Sequence, residues 1–376
     1  MILFLFWVSF ALLLHTYAIY PLLAVLLRRR SSALTCTKWP SVSVLVAAHN
    51  EDTVIGAKIQ NFYDLDYPAE KLELVIFDDG STDGTLKIAK QTSGARVRVL
   101  SGEVRGGKAA AVNQLVSAAL HPTLLLSDAN VSLQVDAVQQ LVKHFCDDRV
   151  GAVTGAVRLI GSDEQFRSGE SLYYQLERRI QRAESKVGSV MGVDGGMYAL
   201  RRGLFQPIPT DTILDDFLIS MNVLRASQRI VYEPAAAATE TGTLSSKQEF
   251  SRRVRIAAGA VQLLRRGNVP RWHQSKIWLQ FISHKLLRWI SPILIAILFC
   301  SNIMLAREHA IYLGMLVSLS LFNVCILLTL LFPRLRFTSL GSIFFYFGLS
   351  QIAMAWGISR GVLNRQPPQW EKAQRP

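Results

Sequence analysis

The sequence predicts an α/β domain with a mostly parallel sheet, flanked by transmembrane helices, one N-terminal and about three C-terminal. Three observations carry that expectation. The apolar, β-rich segments SVSVLVAA, ELVIF and LHPTLLL each run into a cluster of acids and small residues. Helical patterns at about 53–62 and 108–119 lie between them, and such alternation builds parallel sheets covered by helices on both faces. Long apolar runs then bracket this region on both sides.

The 376 residues are 50% hydrophobic, and the apolar ones concentrate at the two ends. Residues 2–27 form the first run, and 290–305, 311–332 and 340–358 the others. The longer runs approach the roughly 20 residues that cross a bilayer. The first has no charged start and no small-residue cleavage site, so it reads as an uncleaved anchor rather than a signal peptide. The organisation expected is a membrane helix at 1–27, a soluble domain at 41–250, a basic and amphipathic interfacial region at 251–289, membrane helices within 290–358 and a polar tail at 359–376. Arg28, Arg29 and Arg30 follow the first run, which places the domain on the cytoplasmic side of the plasma membrane. Three further spans then put the C-terminus outside. Arg334 and Arg336 agree with that count, and Arg360 and Arg365 oppose it.

Lys and Arg outnumber Asp and Glu by 41 to 28. With no zinc-finger or RNA-sheet signature present, the excess fits membrane lipids and a negatively charged substrate rather than nucleic acid. Cys36, Cys146, Cys300 and Cys325 have no metal-site spacing, which suits a reduced domain without structural disulfides.

Asn50, Glu51, Asp78, Asp79 and Asp128 fall at the carboxyl ends of the three expected strands, where open α/β sheets bind ligands. One strand-end acid is ordinarily a turn or cap residue, and Asp83 is expected to be the N-cap of the next helix. A row of acids is harder to explain by capping, because like charges on one rim call for a cation or a donor-rich ligand. Dinucleotide and P-loop binding do not fit. VAAHNEDT stands where GxGxxG is required, and VRGGKAAAVN is too compact for GxxxxGK[ST]. Asp215 and Asp216 precede FLISMNVL; taken alone, the pair is more readily a helix cap than a substrate group.

In this order, HNE, DDGSTDGT, GGK with Asn113 after it, SDAN, VDGGMYALRR and LDDF resemble membrane-bound family 2 glycosyltransferases over about residues 41–289. That family includes cellulose, chitin-oligosaccharide, hyaluronan and exopolysaccharide synthases, and its catalytic domain has the GT-A fold. The resemblance implies an inverting transfer from a UDP-sugar to a membrane-associated glycan or lipid-linked acceptor, forming a β-glycosidic bond. It places Ala48, Glu51, Asp78 and Asp79 around the nucleotide, Lys108 near its phosphates and Asn113 in support. Asp128 opens the metal motif for Mg²⁺ or Mn²⁺, which prefers oxygen ligands and bridges the diphosphate. Asn130 stands where a second aspartate is usual, offering an amide oxygen without charge. Gly195 and Gly196 fall at the acceptor loop with Asp194 before them. Asp216 aligns as the base that takes the acceptor's proton, with Asp215 beside the acceptor.

FSRRVRIAAG resembles the family's Gln-(Gln/Arg)-x-Arg-Trp segment, with Arg252 and Arg255 as diphosphate ligands and Ile256 in place of tryptophan. That loss weakens the expectation of processive synthesis; a polymeric product would also bring polysaccharide export partners. Arginine suits phosphate because its planar fork offers paired donors. Glu177 and Arg178 are expected in helical surface pairs, and Trp272, Trp278, His284 and Trp289 as interfacial anchors. The alternative of a different class is a catalytically silent GT-A-like scaffold or nucleotide-sugar-sensing subunit.

Overall fold

The computed structural model describes residues 1–26, 39–160, 167–241 and 245–369. Arg28, Arg29, Arg30 and Cys36 lie outside them. Eight strands, β1 (Val42–Ala48), β2 (Leu72–Asp79), β3 (Val97–Gly102), β4 (Thr123–Ser127), β5 (Val131–Leu133), β6 (Val150–Ile160), β7 (Met197–Arg201) and β8 (Arg229–Thr241), form one sheet in the order β3-β2-β1-β4-β7-β6-β8-β5. The β3-β2-β1-β4 half is parallel, as the alternating strands and helices require. Beyond it the sheet is mixed: β7 runs antiparallel to β4 and β6, β8 parallel to β6, and β5 antiparallel to β8.

Alternation along β1 separates the two cores. Val42, Val44, Val46 and Ala48 pack on one face with the helix Ile55–Tyr63, while Leu45 faces the helices Lys108–Ala118 and Asp215–Arg225 on the other. The parallel strands β1, β2 and β4 therefore all deliver their carboxyl ends to one edge. Cys146 is disulfide-bonded, contrary to the expectation of a domain without structural disulfides; spacing along the chain carries no information about a pair that the fold closes.

Three helices are long and apolar enough to cross a membrane: Ile2–Ala24, Ala310–Leu331 and Ser339–Val362. Ser291–Leu305 has 15 residues, about 22 Å of helix and short of a bilayer core. It continues from Ser275–Trp289 through a 67° bend, so that pair is a broken span or a re-entrant segment. Ser339–Val362 also departs from a simple crossing. It packs alongside the helix Ser246–Arg265 from Tyr346, which hydrogen-bonds Glu249, to Gly361, whose carbonyl accepts from Arg265. Arg265 also donates to the carbonyl of Val362 and to the side chain of Asn364. The end of this helix and the residues after it thus lie against the helix Ser246–Arg265.

Two other expectations change. Glu177 is half-buried and receives His284 Nε2 at 2.9 Å and Arg288 at 2.5 Å, while His284 Nδ1 meets Glu184 at 2.7 Å. These side chains join the helix Arg167–Val187 to the bent pair, and Glu177 is not a surface ion pair. His284 is 1% exposed, and Trp289 packs edge-on against Phe217 and Phe281. Both belong to the protein interior, whereas Trp272, 88% exposed, remains free to meet an interface.

Small residues set the approach of the last helix. A β-carbon on Gly357 would lie 2.7 Å from that of Ala257, and one on Gly361 would lie 2.9 Å from the α-carbon of Ala258. Gly314, in Ala310–Leu331, has nothing within 4 Å of such a carbon. Gly357→Ala should therefore destabilise the protein by about 1–3 kcal/mol through overpacking, seen as a lower unfolding temperature in detergent, while Gly314→Ala should not.

Candidate active site

The turns after β1 and β2 are stitched to each other. Asn50, in the left-handed region at φ 57°, accepts from the Thr82 amide at 2.8 Å, and the Glu51 amide donates to Thr85 Oγ1 at 2.7 Å. His49 Nδ1 meets the carbonyl of Asp79 at 2.8 Å. Asp83 accepts from the Thr85 amide at 2.9 Å, but the cap position belongs to Gly84, so Asp83 braces the turn from one residue earlier. Ala48 is enclosed in the core, and Glu51 is buried at the turn.

The two acids of DDGS have different surroundings. Asp79 accepts the Gly106 amide at 2.7 Å on one oxygen and the Gly107 amide at 2.8 Å on the other. It thereby fixes the glycine turn that opens the helix Lys108–Ala118; Gly107 itself sits at φ 87°, a conformation suited to glycine. Asp78 uses one oxygen for the Ser81 amide at 3.2 Å, and its other oxygen is buried without a hydrogen-bond partner among the described residues. A buried acceptor in that state is costly until a donor reaches it.

Lys108 projects from this turn to Asp128, with 2.8 Å between Nζ and Oδ1. Burial disfavours its charge, but Asp128, Asp215 and Asp216 more than offset that and hold the ammonium above its ordinary range. Lys108 is thus paired with Asp128 and feels the charge of the adjacent Asp215 and Asp216, which follow Asp128 by 87 and 88 positions. Asn113, farther along the same helix, exchanges two hydrogen bonds with the backbone of Ile208, which ties the helix to the approach to Asp215.

Asp215 and Asp216 open the helix Asp215–Arg225, whose N-cap is Leu214; Asp216 Oδ1 accepts the first-turn amide of Phe217 at 2.7 Å, leaving Oδ2 toward the Gly195 turn. Asp215 is buried, and Asp216 is partly open. A β-carbon on Gly195 would come 2.8 Å from Asp216 Oδ2, so the Asp194–Gly195–Gly196 turn lies directly against the carboxylate. Ser220 Oγ secures the same contact: it donates to the Asp216 carbonyl at 2.8 Å and accepts from the Val193 amide at 3.0 Å. Burial, and then the neighbouring Asp215, push the Asp216 carboxyl up to about 6 against the opposing charges of Lys108 and Arg255.

Arg255 donates to the Ile213 carbonyl at 2.9 Å, just before the acid pair. Arg252 is held by Glu249 at 2.8 Å and by the Tyr174 hydroxyl, and its charge reaches Asp194 and Glu240. The two arginines therefore serve different sides of the site. Glu240, near the end of β8, is a member that local motifs did not mark. Its Oε1 accepts from Asn130 Nδ2 at 2.9 Å, and burial followed by the charge of Asp128 raises its carboxyl. Only the strand register, Val131 opposite Glu240, brings it there. Lys58 was also unmarked: buried at 4% exposure, it holds Ser127 Oγ at 2.7 Å beneath the Asp128 turn.

No group of three or more His, Cys, Asp or Glu among the described residues forms a metal cage. Asp128 and the Asn130 amide instead fit a divalent cation that brings most of its ligands on a diphosphate, as Mg²⁺ sites commonly do.

Residues 43–208 match the family model described as Glycosyl transferase family 2. The domain has a GT-A-like fold and is related to family 2 glycosyltransferases. The chain is 28% identical over 231 residues to a beta-monoglucosyldiacylglycerol synthase of a Nostoc species, covering 59% of this chain and 49% of that one. It is 24% identical over 287 residues to a poly-beta-1,6-N-acetyl-D-glucosamine synthase of Staphylococcus epidermidis, covering 75% and 69%. It thus spans about half the length of the first of these relatives. A mannosyltransferase from Pyrobaculum calidifontis, solved with GDP-Man and Mn²⁺, superposes with a TM-score of 0.74 over 96% of this chain and 100% of that one at 21% identity, a likeness of fold.

A proton-accepting role for Asp216, as the sequence leads one to expect, would require its ionised form, which is lost as pH falls through about 6. Sugar transfer should accordingly be level above that pH and drop about tenfold per unit well below it, measured as initial rates with saturating donor.

Proposed function

We propose that the protein is an inverting, membrane-bound glycosyltransferase that moves a sugar from a UDP-sugar to a membrane-associated glycan or lipid-linked acceptor. The observation that carries this is the junction of Lys108 with Asp128, Asp215 and Asp216 at the carboxyl edge of the sheet. It sets a phosphate-seeking cation and a near-neutral carboxylate within one cleft, under a helix packed on the apolar bundle.

In this function Asp78 presents its unpartnered oxygen to a base N–H, and Asp79 keeps the glycine turn in place. Asp128, with Asn130, would hold Mg²⁺ or Mn²⁺, which when bound would supply positive charge to the diphosphate. Lys108 exchanges part of its contact with Asp128 for phosphate oxygen. Arg255 adds positive charge near the leaving diphosphate. Asp216 takes the proton from the acceptor hydroxyl as that oxygen attacks the anomeric carbon from the face opposite the nucleotide. An α-linked donor then gives a β-linked product. The printed names of both relatives, which specify beta products, support that outcome. The mannosyltransferase bound to GDP-Man and Mn²⁺ supports a nucleoside-diphosphate sugar and a divalent cation.

In this reading the acceptor is met at the bilayer, the domain lies on the cytoplasmic side of the plasma membrane and the product serves exopolysaccharide or cell-surface glycan synthesis; the long apolar helices support the membrane setting. The test is full-length protein in lipid nanodiscs, given UDP- and GDP-sugars with Mn²⁺ and lipid or oligosaccharide acceptors. Acceptor-dependent release of UDP is expected. Asp216→Asn should lower that release by about 10²–10⁴-fold while UDP still binds; release at the wild-type rate would remove Asp216 from the base role.

A further inference from the structure

We propose that Glu240 is the positioning residue of the metal turn: it fixes which way the Asn130 amide faces and supplies the negative charge that Asn130 lacks. The inference rests on the function above, in which the 128–130 turn meets a divalent cation on a nucleoside diphosphate.

An asparagine offers a donor side and an acceptor side, and either can face a neighbour. Here the neighbour decides. Glu240 sits opposite Val131 in the β5–β8 pairing, one residue beyond Asn130, and its Oε1 lies 2.9 Å from Asn130 Nδ2. Glu240 Oε1 accepts the hydrogen bond of Asn130 Nδ2, and this contact turns the amide nitrogen toward Glu240. Its oxygen is thereby committed to the other side of the amide, as a ligand for a hard cation must be. Glu240 acts on the cation through Asn130, in the way that outer partners orient metal ligands and tune their affinity.

The pairing also gives a physical reason for asparagine at this position. An aspartate at 130 would set two carboxylates against each other at hydrogen-bond distance, and one of them would have to take up a proton or move away. With asparagine, the turn keeps Asp128 and gains Glu240 as a second acid, tied to it through the directional hydrogen bond from Asn130 to Glu240. The second acid of the site is therefore present, but it arrives from the far end of β8. The ligand class is a divalent, oxygen-preferring cation carried by a nucleoside diphosphate.

The experiment is Mn²⁺ binding by full-length protein in detergent, read as loss of the free-ion EPR signal in the presence of UDP. Glu240→Gln keeps the shape but allows the amide to face either way, and should weaken binding roughly 10-fold. Asn130→Asp alone should weaken it similarly, because the new carboxylate faces Glu240. The double variant Asn130→Asp with Glu240→Gln should recover binding to at least the wild-type level, since glutamine can donate to the new aspartate. A merely structural Glu240 would not give this reversal. Unchanged binding in Glu240→Gln, or tight binding in Asn130→Asp that the second substitution fails to improve, would overturn the pairing while leaving the proposed transferase intact. Wild-type protein that captures no Mn²⁺ with UDP would instead overturn the nucleotide–metal function itself.

Discussion

The position of the helix Ser246–Arg265 is the constraint on which the rest of the site depends. On one side it accepts the last apolar helix so closely that Gly357 and Gly361 have no room for side chains. On the other, a β-carbon on its own Gly259 would lie 2.5 Å from Leu214 Cγ, immediately before the acid pair. Arg255 and Gln262 then hydrogen-bond the backbone of Ile213. Close backbone approach through small residues suits helix association at a membrane, where dispersion contacts and hydrogen bonds replace the hydrophobic drive. Its consequence here is chemical. The Asp216 carboxylate is registered against the apolar bundle through one helix, so packing fixes its position relative to that bundle.

Electrostatics complete what packing begins. Asp128, Asp215 and Asp216 would repel one another on a shared rim, and Lys108, paired with Asp128, is the cation whose charge offsets that repulsion. The same balance distinguishes their roles. Asp128 is directly paired with the lysine, whereas Asp216 lies against the Gly195 turn and next to Asp215, and its carboxyl rises to about 6. A base of that strength is ionised at neutral pH and still able to hold a proton as one arrives. A phosphate-bearing ligand would relieve the acids by adding its own cation and drawing on Lys108, Arg252 and Arg255.

What was legible in the sequence is what is encoded locally. HNED, DDGS, SDAN and the glycine pair lie at strand ends or turns, and the structure brings Lys108, Asp128, Gly195 and Asp216 together from four such places. The contacts that were not legible join segments with no shared pattern. Glu240 meets Asn130 through strand register, and Trp289 meets Phe217 across the core. His284 finds two glutamates on a helix about a hundred residues earlier, at separations of 100 and 107 positions. Aromatic and basic residues near apolar runs resemble interfacial anchors by composition; only the bend between Trp289 and Ser291 turns them inward. The same limit applies to the last helix, whose apolar sequence suggested a crossing but whose small face follows the catalytic domain.

Together, a backbone-clamped turn after β2, a lysine–aspartate pair beside further acids and a helix locked to the apolar bundle form the site in which the proposed transfer with inversion would take place. That stereochemical outcome follows from Asp216 acting as a base on the acceptor, with no sugar attached to the enzyme along the way. The anomeric configuration of the first product, read by proton NMR from an α-linked UDP-sugar, tests the account most directly. A β-linked product is the predicted result. An α-linked product would contradict direct displacement and the role assigned to Asp216.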